Sequence, residues 1–319
     1  MTFGQALAEA VEEALAEDER VTLIGAGFGS APLDEAREKY AARIKYPPIA
    51  ELAYCGIGIG AAMCGVRPII ELSTGTFSYE AIPQIINEAA IAYSNSGGQT
   101  SVPIVFHMFH GIRGAGGVQH SGSPHPWYWN TPGLQVAVPG TPADAKGLLR
   151  WAALKSKNPT VYMNHTRLLN TRGGVPEGPF EIHFGQAEVS RSGNDVTIVA
   201  CGIQVPRALE AAETLARDHG IEAEVINLRT LQPLDRVTML GSVRKTGRAV
   251  VTDESHDNCG VAAGLAAIIA DEAFTSLKAP VKRVSTMPVP VPYAEPMEDF
   301  VTARPDRIVA AVQEIVPGR

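Results

Sequence analysis

The sequence has little positive charge and no long apolar run, and each shortage excludes a class of protein. Its 319 residues contain 27 lysines and arginines against 34 aspartates and glutamates. The net charge of -7 argues against binding to nucleic acid or to an anionic membrane surface. No apolar run reaches the length of a membrane span, and the N-terminus lacks the charged segment and apolar core of a signal peptide. We therefore expect a cytoplasmic protein.

Cysteines are also few, and none of them forms a CxxC pair. The four are Cys55, Cys64, Cys201 and Cys259, and each lies in apolar surroundings. In a chain without a signal peptide, this usage predicts reduced and mostly buried thiols rather than disulfides or zinc ligands.

Several cofactor and catalytic motifs are missing. There is no GxxxxGK[ST] loop, no GxGxxG that opens a helix after a strand, and no GxSxG nucleophile turn. The chain also lacks a Gly-Asp-Gly with a later Asn, the pattern that carries the metal and the diphosphate in thiamine-diphosphate enzymes. The sequence therefore has no recognisable anchor for a charged cofactor tail.

The remaining sequence predicts an α/β protein with two domains. Apolar residues make up 45% and charged residues 19%, a globular composition, and the chain is long enough for two cores. Helical patterns such as 2–17, with Thr2 as N-cap, and 79–94 alternate with strand patterns such as 49–52. This alternation predicts parallel sheets covered by helices on both faces. The turn-forming segment 170–180 predicts a boundary between domains 1–178 and 179–319.

Three residues near predicted element ends are candidates for an active site. Glu51 follows an apolar run near the edge of the sheet where ligands bind, and it either shares a proton with a ring nitrogen or caps the next helix. Phe77 lies in a turn and is either a core aromatic or a platform for a flat ring. His120 follows a glycine-rich loop, which suggests a function although a lone histidine is more often structural.

A metal site has to be considered because other histidines lie close by in the sequence. His107, His110 and His125 surround the glycine-rich loop. No carboxylate or thiolate accompanies them at a recognised ligand spacing, so the sequence predicts no metal site of this chain's own.

Segments along nearly the whole chain resemble the beta subunit of thiamine-diphosphate-dependent 2-oxo acid dehydrogenases, such as the pyruvate, acetoin and branched-chain enzymes. In the first domain they are 48–51, 58–62, 65–68, 84–90, 120–121 and 141–148. In the second domain they are 195–199, 227–231, 245–248 and 289–294. The resemblance implies a transketolase-like pyrimidine-binding domain followed by a transketolase C-terminal domain.

The resemblance also implies a partner and a reaction. An alpha subunit with the Gly-Asp-Gly and Asn pattern would hold the diphosphate and magnesium, in a heterotetramer of two alpha and two beta subunits. The pair would decarboxylate a 2-oxo acid and pass the acyl group to a lipoyl carrier, with a lipoyl acyltransferase core as a further partner. Ser156 and Asn158 would be candidates for holding a potassium ion, as the equivalent loop does in some members.

By the same resemblance, four residues would receive the pyrimidine end of thiamine diphosphate. Glu51 would hydrogen-bond the ring, Phe77 would pack on it, and Ile49 and Gln84 lie in the matching motifs. His120 would lie near the 2-oxo acid and the incoming lipoyl group, where it orients the substrate or moves protons.

The chain departs from the family pattern at several of these positions. This chain has Ala26-Gly27 where family members commonly have an acidic pair, and Pro83 where they have an Asp. It has His107 in place of a common Arg, Phe109 in place of a Pro and Asn164 in place of a Glu. Lost carboxylates put a proton path between paired sites in question, and the changes at 107–110 leave the identity of the substrate open.

Two other functions are alternatives to the dehydrogenase hypothesis. One is a transketolase- or synthase-like enzyme that forms or breaks a carbon–carbon bond without a lipoyl carrier. The other is a non-catalytic assembly subunit, which would have no need to keep Glu51, Phe77 and His120 together.

Overall fold

The computed structural model describes residues 1–25 and 33–316, which divide into two compact units. Unit 1 contains Met1–His110 and Trp127–Phe184, and unit 2 contains Gly111–Pro126 and Gly185–Arg319. The segment 111–126, which carries His120, thus belongs to unit 2 although it interrupts the sequence of unit 1. The domain boundary after residue 178 stays a prediction. Ala26 and Gly27 lie outside the described residues.

Helices and strands alternate up to residue 184. They are α1 Phe3–Glu17, β1 Val21–Gly25, α2 Asp34–Lys39, β2 Ile44–Lys45, α3 Glu51–Met63, β3 Arg67–Thr74, α4 Ala92–Asn95, β4 Val105–His110, α5 His125–Trp129, β5 Gln135–Ala137, α6 Pro142–Leu154 and β6 Thr160–His165. Within unit 1, six strands pair in the order β5-β6-β4-β3-β1-β2, and every pair is parallel. The parallel sheet predicted for the first domain is confirmed.

Local sequence accounts for the start of the first helix. The Thr2 hydroxyl accepts a hydrogen bond from the Gln5 amide at 3.1 Å, and the Gln5 side chain accepts one from the Thr2 amide at 2.8 Å. This reciprocal pair is a capping box, so the prediction of Thr2 as N-cap is confirmed. Phe3, Leu7 and Val11 form the fully buried stripe of the same helix.

The strand predicted at 49–52 is wrong, because helix α3 begins at Glu51. Tyr54, Cys55, Gly58 and Ile59 are buried, which is the spacing of one helical face. A carboxylate in the first turn is also favoured by the helix dipole. The short apolar run before Glu51 resembles a strand in the sequence. The helical spacing of the buried residues that follow it favours a helix from Glu51 onward.

The single helix predicted at 79–94 is divided into three pieces. A 3₁₀ helix spans Gly75–Ala81, a π-helix spans Pro83–Ala89, and α4 follows. Pro83 has no amide hydrogen to donate to the preceding turn, so a regular α-helix cannot continue through it. Interruptions of this kind are frequent at functional sites.

Unit 2 contains a second α/β sheet. Its elements are β7 Glu188–Arg191, β8 Val196–Ala200, α7 Gln204–His219, β9 Ala223–Asn227, β10 Thr230–Gln232, α8 Arg236–Thr246, β11 Ala249–His256, α9 Val261–Glu272, β12 Lys282–Thr286, α10 Glu295–Val301 and α11 Pro305–Gln313. Five strands have the order β12-β11-β8-β9-β7. The pair β7–β9 is antiparallel and the other pairs are parallel, so this sheet is mixed rather than purely parallel.

All four cysteines are free thiols. Cys55 and Cys201 are buried, whereas Cys64 and Cys259 are exposed, so only half of them fit the expectation of buried thiols. Over the stretches 1–25 and 33–316, no helix combines the length and the apolar character that crossing a membrane requires.

Candidate active site

Unit 1 places three of the predicted cofactor-binding residues on elements that pack together. Helix α3, which starts with Glu51, contacts the 3₁₀ helix that carries Phe77 and the π-helix that carries Gln84. All three side chains belong to half-buried residues. A Cβ on Gly56 of α3 would lie 3.7 Å from Gln84 Cγ, so these elements touch. Ile49, by contrast, is 87% exposed.

Tyr54 is a member of this site that the sequence reasoning missed. It lies one helical turn after Glu51 and is buried. Burial and the nearby Glu51 carboxylate, to which the phenol hydrogen-bonds, raise the pKa of Tyr54 far above its usual range. The phenol therefore keeps its proton and orients the Glu51 carboxylate. The three-residue spacing on a helix was the signal that could have identified it.

The side chains of this cluster fit a flat polar ring. Gln84 Oε1 is buried and has no hydrogen-bond partner in the part of the chain that the structure describes. A buried acceptor of this kind favours a ligand that brings a donor. Together with the Glu51 carboxylate and the Phe77 ring, it suits a heteroaromatic ring that carries an amino group, such as an aminopyrimidine.

A row of buried polar residues crosses three neighbouring strands of unit 1. Glu71 on β3, His107 on β4 and Asn164 on β6 are each at most 1% exposed. The Asn164 amide donates to His107 Nε2 at 2.6 Å, and His107 Nδ1 lies 3.9 Å from Glu71 Oε1. Two of the positions that depart from the family pattern, 107 and 164, are therefore in direct contact.

Burial decides the charge of this row. It raises the pKa of Glu71 to about 8 and lowers the pKa of His107 to about 3. Near pH 7 the acid is mostly protonated and the imidazole is neutral, so their 3.9 Å approach is no ion pair. Glu71 Oε1 accepts a hydrogen bond at 2.7 Å from the amide of Ser73, whose φ of 59° is left-handed. Glu71 thus stabilises the strained turn that leads to Phe77.

We expect Glu71 to make the folded protein less stable as pH rises. Its pKa of about 8 exceeds the usual 4.5, so the folded chain holds a proton that the unfolded chain releases. Between pH 5 and 8 this group should lower the free energy of unfolding by at most about 1.4 kcal/mol per pH unit. Urea unfolding across this range should show a flatter pH dependence for Glu71→Gln, with Glu80→Gln as the exposed control. An equally steep fall in the Glu71→Gln variant would contradict the assignment.

In unit 2, His120 lies half-buried in a glycine-rich loop that closes on itself. The Gly111 amide donates to Gly122 O at 3.0 Å, and Arg113 Nε donates to His120 O at 2.8 Å. Gly111 has a φ of 88°, which favours glycine. These two bonds connect residues at the start of the loop with residues near His120.

Two buried carboxylates accept hydrogen bonds from three further amides of this loop. Glu254 Oε2 accepts from the Ile112 amide at 3.1 Å. Glu298 accepts from the amides of Ala115 and Gly116 at 3.0 and 3.4 Å, and the Glu298 side chain is fully buried. The sequence reasoning missed both acids, because they lie far along the chain from the loop that they hold.

A buried pair of His125 and Asp253 fixes the far end of the loop. His125 Nε2 lies 3.0 Å from both carboxylate oxygens of Asp253, and both residues are at most 2% exposed. Burial by itself would raise the pKa of Asp253, but His125 and the hydrogen bonds from Ser255 outweigh it and hold that pKa well below its usual range. Asp253 therefore stays ionised and accepts from His125 across the working pH range.

We expect Glu298→Gln to loosen the loop that carries His120. Glutamine has one carbonyl oxygen, so one of the two amide hydrogen bonds to a charged acceptor is lost, at a cost of about 1.5–3 kcal/mol. Hydrogen exchange at residues 111–120 should then be about tenfold to a hundredfold faster, as measured by mass spectrometry. Glu295→Gln, an exposed acid on the same helix α10, is the matched control. Unchanged protection in Glu298→Gln would show that the loop has another support.

Ser156 and Asn158, the predicted cation-binding residues, already form hydrogen bonds within the chain. Ser156 Oγ donates to Gln135 Oε1 at 2.6 Å, and the Arg67 guanidinium donates to Ser156 O at 2.7 Å. Asn158 O accepts from Ser156 Oγ at 3.1 Å. Cation binding by Ser156 and Asn158 stays a prediction. Among the described residues, no three His, Cys, Asp or Glu side chains group as a metal site.

The chain is similar to known proteins over its whole length. Residues 1–171 match the family model of the transketolase pyrimidine-binding domain, and residues 185–308 match that of the transketolase C-terminal domain. It is 38% identical to acetoin:2,6-dichlorophenolindophenol oxidoreductase subunit beta of Cupriavidus necator, covering 100% of this chain and 98% of the relative. It is 40% identical to pyruvate dehydrogenase E1 component subunit beta-1, mitochondrial, of Arabidopsis thaliana, over 98% and 88% of the two chains.

A solved structure shares the fold. It is described as a split gene transketolase, inactive beta4 tetramer, and it superposes with a TM-score of 0.81 at 24% identity. The match covers 99% of this chain and 98% of that one. At this identity the likeness shows the fold alone.

Proposed function

Since this chain belongs to the transketolase-like family, among the beta subunits of 2-oxo acid dehydrogenases, we propose that it works as such a subunit. With an alpha partner it decarboxylates a 2-oxo acid on thiamine diphosphate and transfers the acyl group to a lipoyl carrier. The observation that carries the proposal is the cluster in unit 1 of a carboxylate, an aromatic ring and an amide oxygen without a hydrogen-bond partner among the described residues. No anchor for a charged cofactor tail accompanies this cluster in the sequence.

In this proposal the side chains of unit 1 receive the pyrimidine end of the cofactor. Bound thiamine diphosphate supplies the carbon that adds to the 2-oxo acid and the electron sink for its decarboxylation. The Tyr54 phenol orients the Glu51 side chain. Glu51 forms a hydrogen bond with a nitrogen of the pyrimidine ring and keeps the shared proton at that nitrogen. Gln84 Oε1 accepts from the amino group, and Phe77 packs on the ring. Ile49 lies just before α3 and is exposed to solvent.

His120 is assigned to the substrate side of the reaction. His120 is half-buried, and its glycine-rich loop is held by Glu254 and Glu298 and by Arg113 of the loop itself. A histidine held in this way can orient a carboxylate substrate or move a proton during acyl transfer.

The outer face of helix α3 is proposed as the surface for the alpha subunit. Leu52, Ile57 and Met63 on this face are 48%, 63% and 43% exposed, and Ile49 just before the helix is 87% exposed. A contiguous exposed apolar face marks an interaction surface, whereas single exposed side chains do not. Since Glu51 begins the same helix, a partner bound there would lie beside the cofactor cluster and could hold the diphosphate and magnesium.

The wider assembly follows from the same proposal. Two alpha and two beta subunits would form a heterotetramer, and a lipoyl acyltransferase core would be a further partner. The cytoplasmic location stays a prediction.

We expect Glu51→Gln to abolish most of the thiamine-dependent turnover of the reconstituted alpha–beta pair. Loss of a proton-holding group at a cofactor ring typically lowers kcat by about 10²- to 10⁴-fold. Steady-state decarboxylation measures this loss, and Glu88→Gln, an exposed acid on the neighbouring π-helix, is the control. If the Glu51→Gln pair kept the turnover of the unaltered pair, the role of Glu51 would be refuted.

The pair should also acylate a lipoyl domain, while this chain alone should show no thiamine-dependent activity because half of the site is missing. The measurement is mass spectrometry of a lipoyl domain incubated with a panel of 2-oxo acids. Carbon–carbon bond transfer without any acylated lipoyl domain would favour the transketolase- or synthase-like function. Binding of the alpha subunit with no turnover of either kind would favour the assembly subunit.

A further inference from the structure

Unit 2 contains a cavity of about 340 Å³ that lies against the edge strand β12 of its sheet. Asp257, which directly follows β11, and Thr286, at the end of β12, line one part of it. Strands β11 and β12 are parallel, and ligands of open α/β sheets bind outside the carboxyl ends of such strands. The volume is at the small end of the range for ligand sites.

The cavity is positively charged in a protein whose net charge is -7. Lys282, Arg283 and Arg307 line it, against the single carboxylate of Asp257. Arg283 pairs with Asp257 at 3.3 Å, and Lys282 pairs with Glu314. The cavity therefore keeps an excess of cations after these pairs are counted.

Arg307 is the cation with the least compensation. Its guanidinium donates to Thr302 O at 2.7 Å, and among the described residues it forms no ion pair with a carboxylate. Burial lowers the pKa of Arg307, although Asp306 and Asp257 act in the opposite direction. A partly buried guanidinium whose hydrogen bonds go only to backbone carbonyl groups favours an anion beside it.

A buried hydroxyl in the same cavity also has no partner. Ser285 lines the cavity, is 4% exposed, and its Oγ forms no hydrogen bond with any described residue. Buried hydroxyl groups are normally hydrogen-bonded, and those that are not call for a ligand or water. An oxygen of an anionic ligand would satisfy this group and Arg307 together.

Protection of the sheet edge explains only part of this arrangement. Lysine and arginine on an edge strand prevent pairing with another chain, and this accounts for Lys282 and Arg283. It does not account for Arg307, which belongs to helix α11, or for the buried hydroxyl of Ser285.

We propose that this cavity binds a small molecule through a phosphate group, with Arg307 and Arg283 pairing with its oxygens and Ser285 donating a hydrogen bond. Guanidinium groups match the geometry of phosphate oxygens, and the charge of Arg307 that remains after these ion pairs favours an anion. The site is independent of the proposed catalytic activity, since none of its residues belongs to the catalytic cluster or to the His120 loop.

Titration calorimetry on the full chain, without thiamine diphosphate, tests the proposal with inorganic phosphate and with adenosine monophosphate. One saturable site is expected for at least one of the two. Tighter binding of the nucleotide would identify an organic phosphate as the natural ligand, and equal binding would identify free phosphate. No saturable binding of either up to about 10 mM would overturn the proposal, as would binding of an acidic peptide alone.

Variants locate the binding. Arg307→Gln should weaken it by at least about tenfold and Ser285→Ala by about threefold or more, since each loses a direct bond to the phosphate. Ser285→Ala removes no hydrogen bond to a described residue, so it remains informative if Arg307→Gln fails to fold. Arg217→Gln, an exposed arginine on α7, removes the same charge and should leave binding unchanged. An equal effect of Arg307→Gln and Arg217→Gln would show a general charge effect and overturn the site.

Discussion

The histidine-bearing loop depends on carboxylates that are buried in unit 2. Glycines give the loop its tight turns, but they also give it much conformational entropy to lose on folding. Glu254 and Glu298 offset part of that loss by accepting amide hydrogens, and the Asp253–His125 pair fixes the far end. The position of His120 is therefore a property of the second unit, although its sequence lies within the first.

Burial alone does not decide the charge of an acid in this protein. Glu71 and Asp253 are both almost fully buried, yet the pKa of Glu71 rises and that of Asp253 falls. The difference lies in the number of partners. A single backbone amide supports Glu71, whereas His125 and two hydrogen bonds from Ser255 stabilise the Asp253 carboxylate.

Short-range patterns in the sequence predicted the fold, but they could not predict contacts between residues that lie far apart in the chain. The Thr2 cap and the alternation of helices and strands follow from short-range patterns, whereas the apolar run before Glu51 fits a strand and a helix equally well. His125 and Asp253 are 128 residues apart, and Ile112 and Glu254 are 142 residues apart. The contact between His107 and Asn164 spans 57 residues. No local period reports such pairs, so only the folded chain reveals them.

The proposal that the alpha subunit covers the exposed apolar face of α3 has a consequence for the amounts in which the two subunits are made. A chain produced without its partner would leave Ile49 and Ile57 in water, and each copy would offer the same face to the next. Excess copies would then bury these faces against one another and become unavailable for catalysis. Balanced synthesis of the two subunits, for example from one message, would keep this side reaction rare.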